Sequence, residues 1–153
     1  MNMSQTSKPT RLLHIKQKAT KQQIIQFLQD EFPQSLIKCE IDVVEPHETQ
    51  IIYHVDEHDL RPGGTVSGPT MMTAADYALY VAILAEIGLI GLTVTTNLNI
   101  NFLRKPSAGV DIRGICHLIK VGKVLIVGEV WLYSLDHDQP IAHVTGTYSI
   151  PPK

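Results

Sequence analysis

Residues 68–86 read GPTMMTAADYALYVAILAE, and this stretch decides the fold. As a helix it would be apolar around most of its circumference, so it must be buried on several sides. Gly68 is the predicted N-cap, Pro69 the first helical residue and Glu86 the approximate end, with Gly88 as the C′ residue. A single helix this apolar requires a sheet wrapped around it.

One narrow polar stripe interrupts this apolar surface. It consists of Thr70, Thr73, Asp76, Tyr77 and Tyr80, and steps of three and four residues put side chains on one helix face. Asp76 lies two turns inside the helix, where a carboxylate is costly unless it is paired or used. Its role therefore stays open between a structural one, bonding a loop or a second chain, and a functional one.

The start of the same helix favours the functional interpretation. Gly68 would let the backbone approach a ligand closely, and the unpaired N–H groups of a helix N-terminus can hold a carbonyl oxygen that is gaining charge. An amide site at the N-terminus and a carboxylate two turns later suit acyl transfer.

The rest of the chain is predicted to form the sheet. A first helix is expected over residues 20–32, followed by a hairpin of two strands over 36–45 and 49–55. Four strands in a meander are expected after the long helix, over residues 92–103, 110–119, 123–135 and 140–150. This order predicts an α+β protein with an antiparallel sheet.

The strand 92–103 has the strongest alternation in the chain. Its polar residues of one parity are predicted to share one face: Thr93, Thr95, Asn97, Asn99 and Asn101. That face and the polar helix stripe are better shared between subunits than left within one small protein. We therefore expect a homo-oligomer, at least a dimer.

Composition and charge exclude several classes of protein. The 153 residues carry 13 Lys and Arg against 15 Asp and Glu, a formal net charge of −2. This balance argues against binding to nucleic acid or to a charged membrane surface. Cys39 and Cys116 form no CxxC pair, so neither a disulfide framework nor a metal site is expected.

We expect a flexible N-terminal tail over residues 1–19 and a single domain over 20–153. Residues 1–30 contain no secretory apolar segment, and free thiols fit a reducing compartment, so a cytoplasmic location is predicted. Residues 77–94 approach the length and apolarity of a membrane span. Gly88 and Gly91 interrupt them, however, so we interpret them as a buried helix leading into a strand.

A family resemblance appears around the start of the long helix. The run Gly64-Thr-Val-Ser-Gly-Pro69, followed six residues later by Asp76, resembles the G-x-x-H-G-G…Asp signature of hotdog-fold acyl-CoA thioesterases, closest to the PaaI-like, phenylacetate-degradation branch. Residues 99–106, NINFLRKP, resemble that group's strand and "FLRP" turn, Val121-Gly-Lys123 its hairpin and His143-Val-Thr-Gly-Thr147 its last strand. The likeness extends over roughly residues 40–151.

The resemblance implies a hotdog fold, in which an antiparallel sheet encloses the long helix. It also implies that two chains pair, with each active site at the subunit interface, and that dimers often form tetramers. Asp76 would be the nucleophile or the general base, and the Gly68 N–H would hold the oxyanion. The substrate would be an acyl-CoA, with no cofactor besides the coenzyme A of the substrate itself.

Three residues depart from the family pattern. Ser67 replaces the family's histidine, Pro69 replaces its second glycine, and Arg61 stands where an Asn or Gln usually precedes the carboxylate by fifteen residues. Ser67 and Arg61 would act as polar helpers. Arg61 could polarise a carbonyl or hold a substrate carboxylate, or it could pair with Asp76 and silence it.

Further candidates for substrate binding are Thr73 and Asn97, and three basic residues, Arg104, Lys105 and Lys123, that would contact the phosphates of coenzyme A. The loss of the family's histidine and amide keeps a second hypothesis open, a non-catalytic hotdog protein that binds acyl-CoA or builds an oligomer. A hotdog dehydratase ranks last, because no histidine occupies the expected loop position.

Overall fold

The computed structural model describes residues 17–152. Before the long helix come helix α1 (Lys21–Glu31), the single-turn helix α2 (Ser35–Lys38) and the hairpin of strands β1 (Cys39–Glu45) and β2 (Glu48–Tyr53). A capping box between Thr20 and Gln23 starts α1, because each side chain accepts from the other residue's N–H. The predicted first strand is wrong at residues 36–38, which are helical.

The long helix, α3 (Gly68–Ile87), agrees with the prediction in extent and in burial. Its N-cap is Ser67 rather than Gly68, because the Ser67 side chain accepts a hydrogen bond from the Thr70 N–H and Gly68 is already helical. Gly88 ends the helix with a φ of 103°, a conformation that favours glycine. By length and composition α3 resembles a membrane span, but 67% of its most apolar window is buried inside the fold.

Four strands follow α3: β3 (Val94–Phe102), β4 (Ile112–Val121), β5 (Leu125–Ser134) and β6 (Ala142–Ser149). All six strands form one antiparallel sheet in the order β1-β2-β4-β5-β6-β3. The long helix lies against this sheet, the architecture that the family resemblance implies.

The predicted four-strand meander is wrong at its first member. β3 pairs with β6 at the far edge of the sheet, and β4 instead pairs with β2. Alternation in a strand specifies which residues face the helix but not which strand lies beside it. The crossing lets the sheet enclose α3 from both sides and leaves β3 as an edge strand.

A bulge in β3 separates residues that the sequence pattern puts on one face. Thr95 is opposite Tyr148 of β6, but Asn97 is opposite Thr147, so one extra residue lies between them. Residues directly opposite each other share a face, and one inserted residue reverses every later side chain. Thr95 therefore faces α3, whereas Asn97, Asn99 and Asn101 lie on the outer face.

The described part of the predicted tail is packed rather than loose. The backbone N–H groups of Lys18 and Ala19 donate to the carbonyl oxygen of Ala85, near the end of α3, at 2.8 and 3.2 Å, and Ala19 is buried. The predicted tail is therefore wrong for residues 17–19. Residues 1–16 and Lys153 lie outside the described residues.

The centre of the core is the contact between Leu79 of α3 and two glycines of the sheet. Gly128 and Gly146 are paired across β5 and β6, and Leu79 is fully buried above them. A Cβ at Gly128 would lie 2.7 Å from one Leu79 methyl carbon, and a Cβ at Gly146 would lie 2.5 Å from the other. Because each methyl abuts a different glycine, a shift of Leu79 along the sheet away from one glycine would bring it closer to the other.

We predict that Gly146→Ala destabilises the fold by about 1–3 kcal/mol, the usual cost of overpacking a core. Thr145→Ala, on the outward side of the same strand, is the matched control and should have a much smaller effect. Chemical denaturation measures both. In the double variant Leu79→Ala/Gly146→Ala the second change should cost less than it does alone, and strictly additive costs would contradict this account.

Candidate active site

Asp76 is half-buried on the face of α3 that meets strands β3 and β6. Its Oδ1 accepts two hydrogen bonds, from Thr95 Oγ1 at 2.7 Å and from the Tyr148 hydroxyl at 2.6 Å. The same hydroxyl lies 3.0 Å from the backbone oxygen of Asp76. Within residues 17–152 no hydrogen bond reaches Oδ2, so one carboxylate oxygen is held and the other is available.

A cavity of about 800 Å³ opens beside Asp76. Its walls come from α1, α2 and α3, from strands β1, β2, β3 and β6 and from the segment that leads into β3. Six aromatic rings contribute to them: Phe27, Phe32, Tyr53, Tyr77, Tyr80 and Tyr148. Thr73 also lines this cavity, so the structure brings this predicted binding residue together with Asp76. An apolar cavity with a few polar groups at one point is typical of a small-molecule site.

Cys39 is a second potential nucleophile in this cavity. Burial raises the pKa of the Cys39 thiol to about 12. Since the thiolate and not the thiol is the nucleophile, Cys39 is unreactive at neutral pH, and Asp76 is the better candidate.

Gly68 lies in a different cavity, of about 460 Å³, at the other end of the long strand β3. A Cβ on Gly68 would lie 3.2 Å from the Phe102 ring, so glycine allows this close approach. In the part of the chain that the structure describes, no oxygen accepts a hydrogen bond from the Gly68 N–H. Gly68 and Asp76 are eight residues apart, about 12 Å along a helix, too far to act on one carbonyl group.

Three of the predicted basic or polar residues lie beside Gly68. Arg61, Arg104 and Lys105 line the same cavity, and all three are exposed. The pairing of Arg61 with Asp76 is therefore not formed within one chain. Lys123 lies elsewhere, in the turn before Leu125. Leu125 is paired with Ser149, so this turn is at the end of the sheet where β3 begins. The bulge in β3 likewise directs Asn97 away from Asp76.

Ser67 is engaged locally. Besides capping α3 it donates a hydrogen bond to Thr70 Oγ1 at 3.0 Å, and Thr70 in turn donates to Asp59 Oδ1 at 3.0 Å. The hydroxyl therefore holds the helix start in place, and the predicted role of Ser67 as a catalytic helper stays a prediction.

Asp59 is the buried charge that the sequence analysis missed. Lys38 Nζ and the Asp56 N–H donate to its Oδ2 at 2.6 and 2.9 Å, and the Tyr53 hydroxyl donates to Oδ1 at 2.7 Å. Burial opposes its ionisation, but these bonds and the one from Thr70 outweigh burial and lower the pKa of Asp59 to about 2. The one signal in the sequence is the spacing Asp56-x-x-Asp59, which forms a capping box in the structure.

The Asp59 network joins three elements of the fold to the loop that carries Arg61. Lys38 ends α2, Tyr53 ends β2, and Thr70 lies in the first turn of α3. The backbone oxygen of Asp59 also accepts a hydrogen bond from the Ser67 N–H at 2.8 Å. The network therefore fixes the loop 60–67 at both its ends.

Comparison with known proteins identifies what this arrangement resembles. Residues 63–141 match the model of the Thioesterase superfamily. A protein from Silicibacter sp. described as a thioesterase is 40% identical in its crystal structure, with 90% of this chain and 96% of that chain covered and a TM-score of 0.83. No curated protein matches the chain.

Two more distant structures share the fold. Zebrafish thioesterase superfamily member 2 is 23% identical, with a TM-score of 0.74 over 87% of this chain and 99% of that one. The PaaI protein of the Escherichia coli phenylacetic acid degradation operon is 16% identical, with a TM-score of 0.73 over 84% of this chain and 91% of that one.

We predict that Asp59→Asn destabilises the fold by about 1–3 kcal/mol, because the charged Asp59 carboxylate is lost while Lys38 keeps its ion pair with the exposed Asp56. The folded-state pKa of Asp59, about 2, lies below the value of about 3.9 for an unfolded chain. Its stabilisation is thus present above about pH 4 and is lost as the pH falls toward 2. Denaturation at several pH values should give Asp59→Asn a flatter acid dependence than wild type between pH 4 and 2. Equal slopes would contradict the assignment.

Proposed function

The chain belongs to the thioesterase superfamily and is a thioester hydrolase, and from this premise we propose that it cleaves acyl-CoA thioesters with Asp76 as the catalytic carboxylate. The observation that carries the proposal is the state of Asp76. One of its oxygens is held by two hydroxyl groups, and the carboxylate borders a large, mainly apolar cavity able to accept an acyl group.

Asp76 can act in either of two ways. As a general base, Oδ2 accepts a proton from water while the water oxygen attacks the thioester carbonyl carbon. As a nucleophile, Oδ2 attacks that carbon itself, and water then hydrolyses the resulting anhydride. In both routes the carbonyl oxygen gains negative charge, the carbon–sulfur bond breaks, and the thiolate of coenzyme A leaves and takes up a proton.

The Gly68 N–H can serve Asp76 as an oxyanion site only across a subunit interface, because the two residues lie about 12 Å apart within one chain. We propose that two copies pair through the free edge of β3 in antiparallel fashion, around a two-fold axis near Leu98. An antiparallel pairing sets the start of one β3 against the end of the other. Asp76, bonded to Thr95 near the start, then approaches Gly68 of the second copy, which packs on Phe102 at the end. The Gly68 N–H would hold the oxyanion.

The basic residues around Gly68 support coenzyme A as the thiol portion of the substrate. Arg61, Arg104 and Lys105 line that cavity together with apolar residues, and none of its lining residues is acidic. Guanidinium groups suit phosphate oxygens particularly well. In the proposed dimer, Lys123 of one copy lies at the same end of the joined sheet as Arg104 of the other. Arg61 would in addition influence which acyl groups are accepted.

We predict that Asp76→Asn lowers the rate of acyl-CoA hydrolysis by roughly 10²–10⁴ if Asp76 is a general base, and by more if it is the nucleophile. The substitution keeps the shape of the side chain and removes its charge. Steady-state thiol release from a panel of acyl-CoAs measures the effect, and thermal melts verify folding.

Asp138→Asn is the matched control for this experiment, because the Asp138 side chain is 93% exposed in the turn between β5 and β6. It should hydrolyse at the wild-type rate. A folded Asp76→Asn enzyme that is nearly as fast as wild type would assign the chemistry to another residue. A wild type that binds acyl-CoA without cleaving it would refute hydrolysis and favour the second hypothesis, a non-catalytic hotdog protein.

We predict that the protein sediments with at least twice the 17.0 kDa mass of one chain. Asn99→Asp should weaken this association, because a two-fold axis near Leu98 brings like charges together across the joined strands. Gln139→Asp, in an exposed turn, serves as the control. A wild-type protein that is monomeric at micromolar concentration but hydrolyses acyl-CoA at full rate would rule out the shared site.

A further inference from the structure

Tyr148 is buried in the core of this fold beside Asp76. It lies on the helix-facing side of β6 and is only 2% exposed. Its hydroxyl donates to Asp76 Oδ1 at 2.6 Å, the shortest contact of that carboxylate within residues 17–152. The sequence pattern predicts only that residue 148 belongs to the last strand.

The Tyr148 ring is itself fixed by neighbouring contacts. It stacks on the ring of Tyr80 with the centroids 6.3 Å apart and an angle of 22° between the planes. Tyr80 is one turn beyond Asp76 on α3, and its hydroxyl donates to the Gly91 carbonyl oxygen at 3.3 Å. The Tyr148 hydroxyl is therefore held against Asp76 by a side chain that has little freedom to move.

Two donors on one carboxylate oxygen have a definite geometric effect. Thr95 and Tyr148 both donate to Oδ1, so rotation of the Asp76 carboxylate about its Cβ–Cγ bond would break both hydrogen bonds. That rotation is what would move Oδ2 out of line with a reacting carbonyl group. Small misplacements of a reacting group cost large factors in rate.

Tyr148 also keeps its own proton. Burial, and then the adjacent charge of Asp76, raise the pKa of Tyr148 above that of an ordinary tyrosine. It therefore stays protonated near neutral pH and remains a hydrogen-bond donor to Asp76.

From these contacts we infer that Tyr148 is a positioning residue for hydrolysis, which holds the Asp76 carboxylate so that Oδ2 faces the acyl-binding cavity. The inference rests on the proposed role of Asp76 and adds the element that orients it. The pairing of Tyr148 with Asp76 should then affect the chemical step rather than substrate binding.

The test is Tyr148→Phe, which keeps the ring and its stacking on Tyr80 and removes only the hydroxyl. We expect kcat for a good acyl-CoA to fall by about tenfold to a hundredfold, with KM unchanged within about twofold, because only the orientation of Oδ2 is lost. Tyr133→Phe is the matched control, since Tyr133 is a half-buried tyrosine on the outward side of β5. It should leave kcat unchanged. Rates are compared at a temperature at which melts show every variant to be folded.

A double variant separates positioning from a general structural effect. In Asp76→Asn there is no catalytic carboxylate to orient, so Tyr148→Phe added to it should lower the residual rate no further. A structural defect would lower that residual rate as much as it lowers the wild-type rate, and this result would overturn the inference.

The outcomes also distinguish this inference from the proposed function. If Asp76→Asn abolishes hydrolysis and Tyr148→Phe matches wild type in kcat, the positioning role is wrong and the role of Asp76 stands. If Asp76→Asn is as active as wild type, the proposed catalytic role of Asp76 fails, and the positioning role fails with it.

Discussion

The packing of Leu79 on the paired glycines Gly128 and Gly146 is the constraint on which the geometry of this protein depends. It sets the distance between α3 and the sheet, because either added Cβ would overlap a Leu79 methyl group. It also sets how far the helix is slid and rotated along the strands. Tyr148 follows Gly146 by two residues on the same face of β6, and Asp76 precedes Leu79 by about one turn. The contact at Leu79 therefore positions Asp76 within hydrogen-bond distance of the Tyr148 hydroxyl.

Two carboxylates near this helix show how the surroundings of a charge decide its use. Asp59 is bound by an ammonium, a backbone N–H and two hydroxyl groups, which engage both of its oxygens. It is fully satisfied and links the loop to the core. Asp76 receives only two neutral donors, both on Oδ1, and it faces a cavity. A carboxylate with one oxygen fixed and one available is suited to chemistry rather than to cross-linking.

The edge strand β3 relates the two cavities of the chain. Its start borders the cavity of Asp76, and Phe102 at its end borders that of Gly68. An exposed strand edge is a ready template for pairing with another chain. When two such edges pair around their centre, the start of one β3 meets the end of the other. Asp76 of one chain then lies near Gly68 of the second chain, so a dimer would hold one complete site per subunit.

The sequence by itself determined the buried helix and its carboxylate. Residues 68–86 are apolar around most of the helix circumference, so this helix is stable only when a sheet buries it. Asp76 stands out because it is a carboxylate on this otherwise apolar helix. The sequence pattern also predicted five of the six strands to within a few residues. For β1 it was correct only from Cys39 onward, because the apolar residues among 36–38 fit a turn of helix as well as they fit a strand.

The tertiary structure alone decided that β3 pairs with β6, because alternation carries no information about the neighbouring strand. It alone showed the bulge at residue 96, which turns Thr95 toward Asp76 and Asn97 away. It also decided that Asp59 bonds to Lys38, 21 positions away, and Asp76 to Tyr148, 72 positions away. Such bonds depend on how the helices dock on the sheet, and no local sequence pattern specifies that docking.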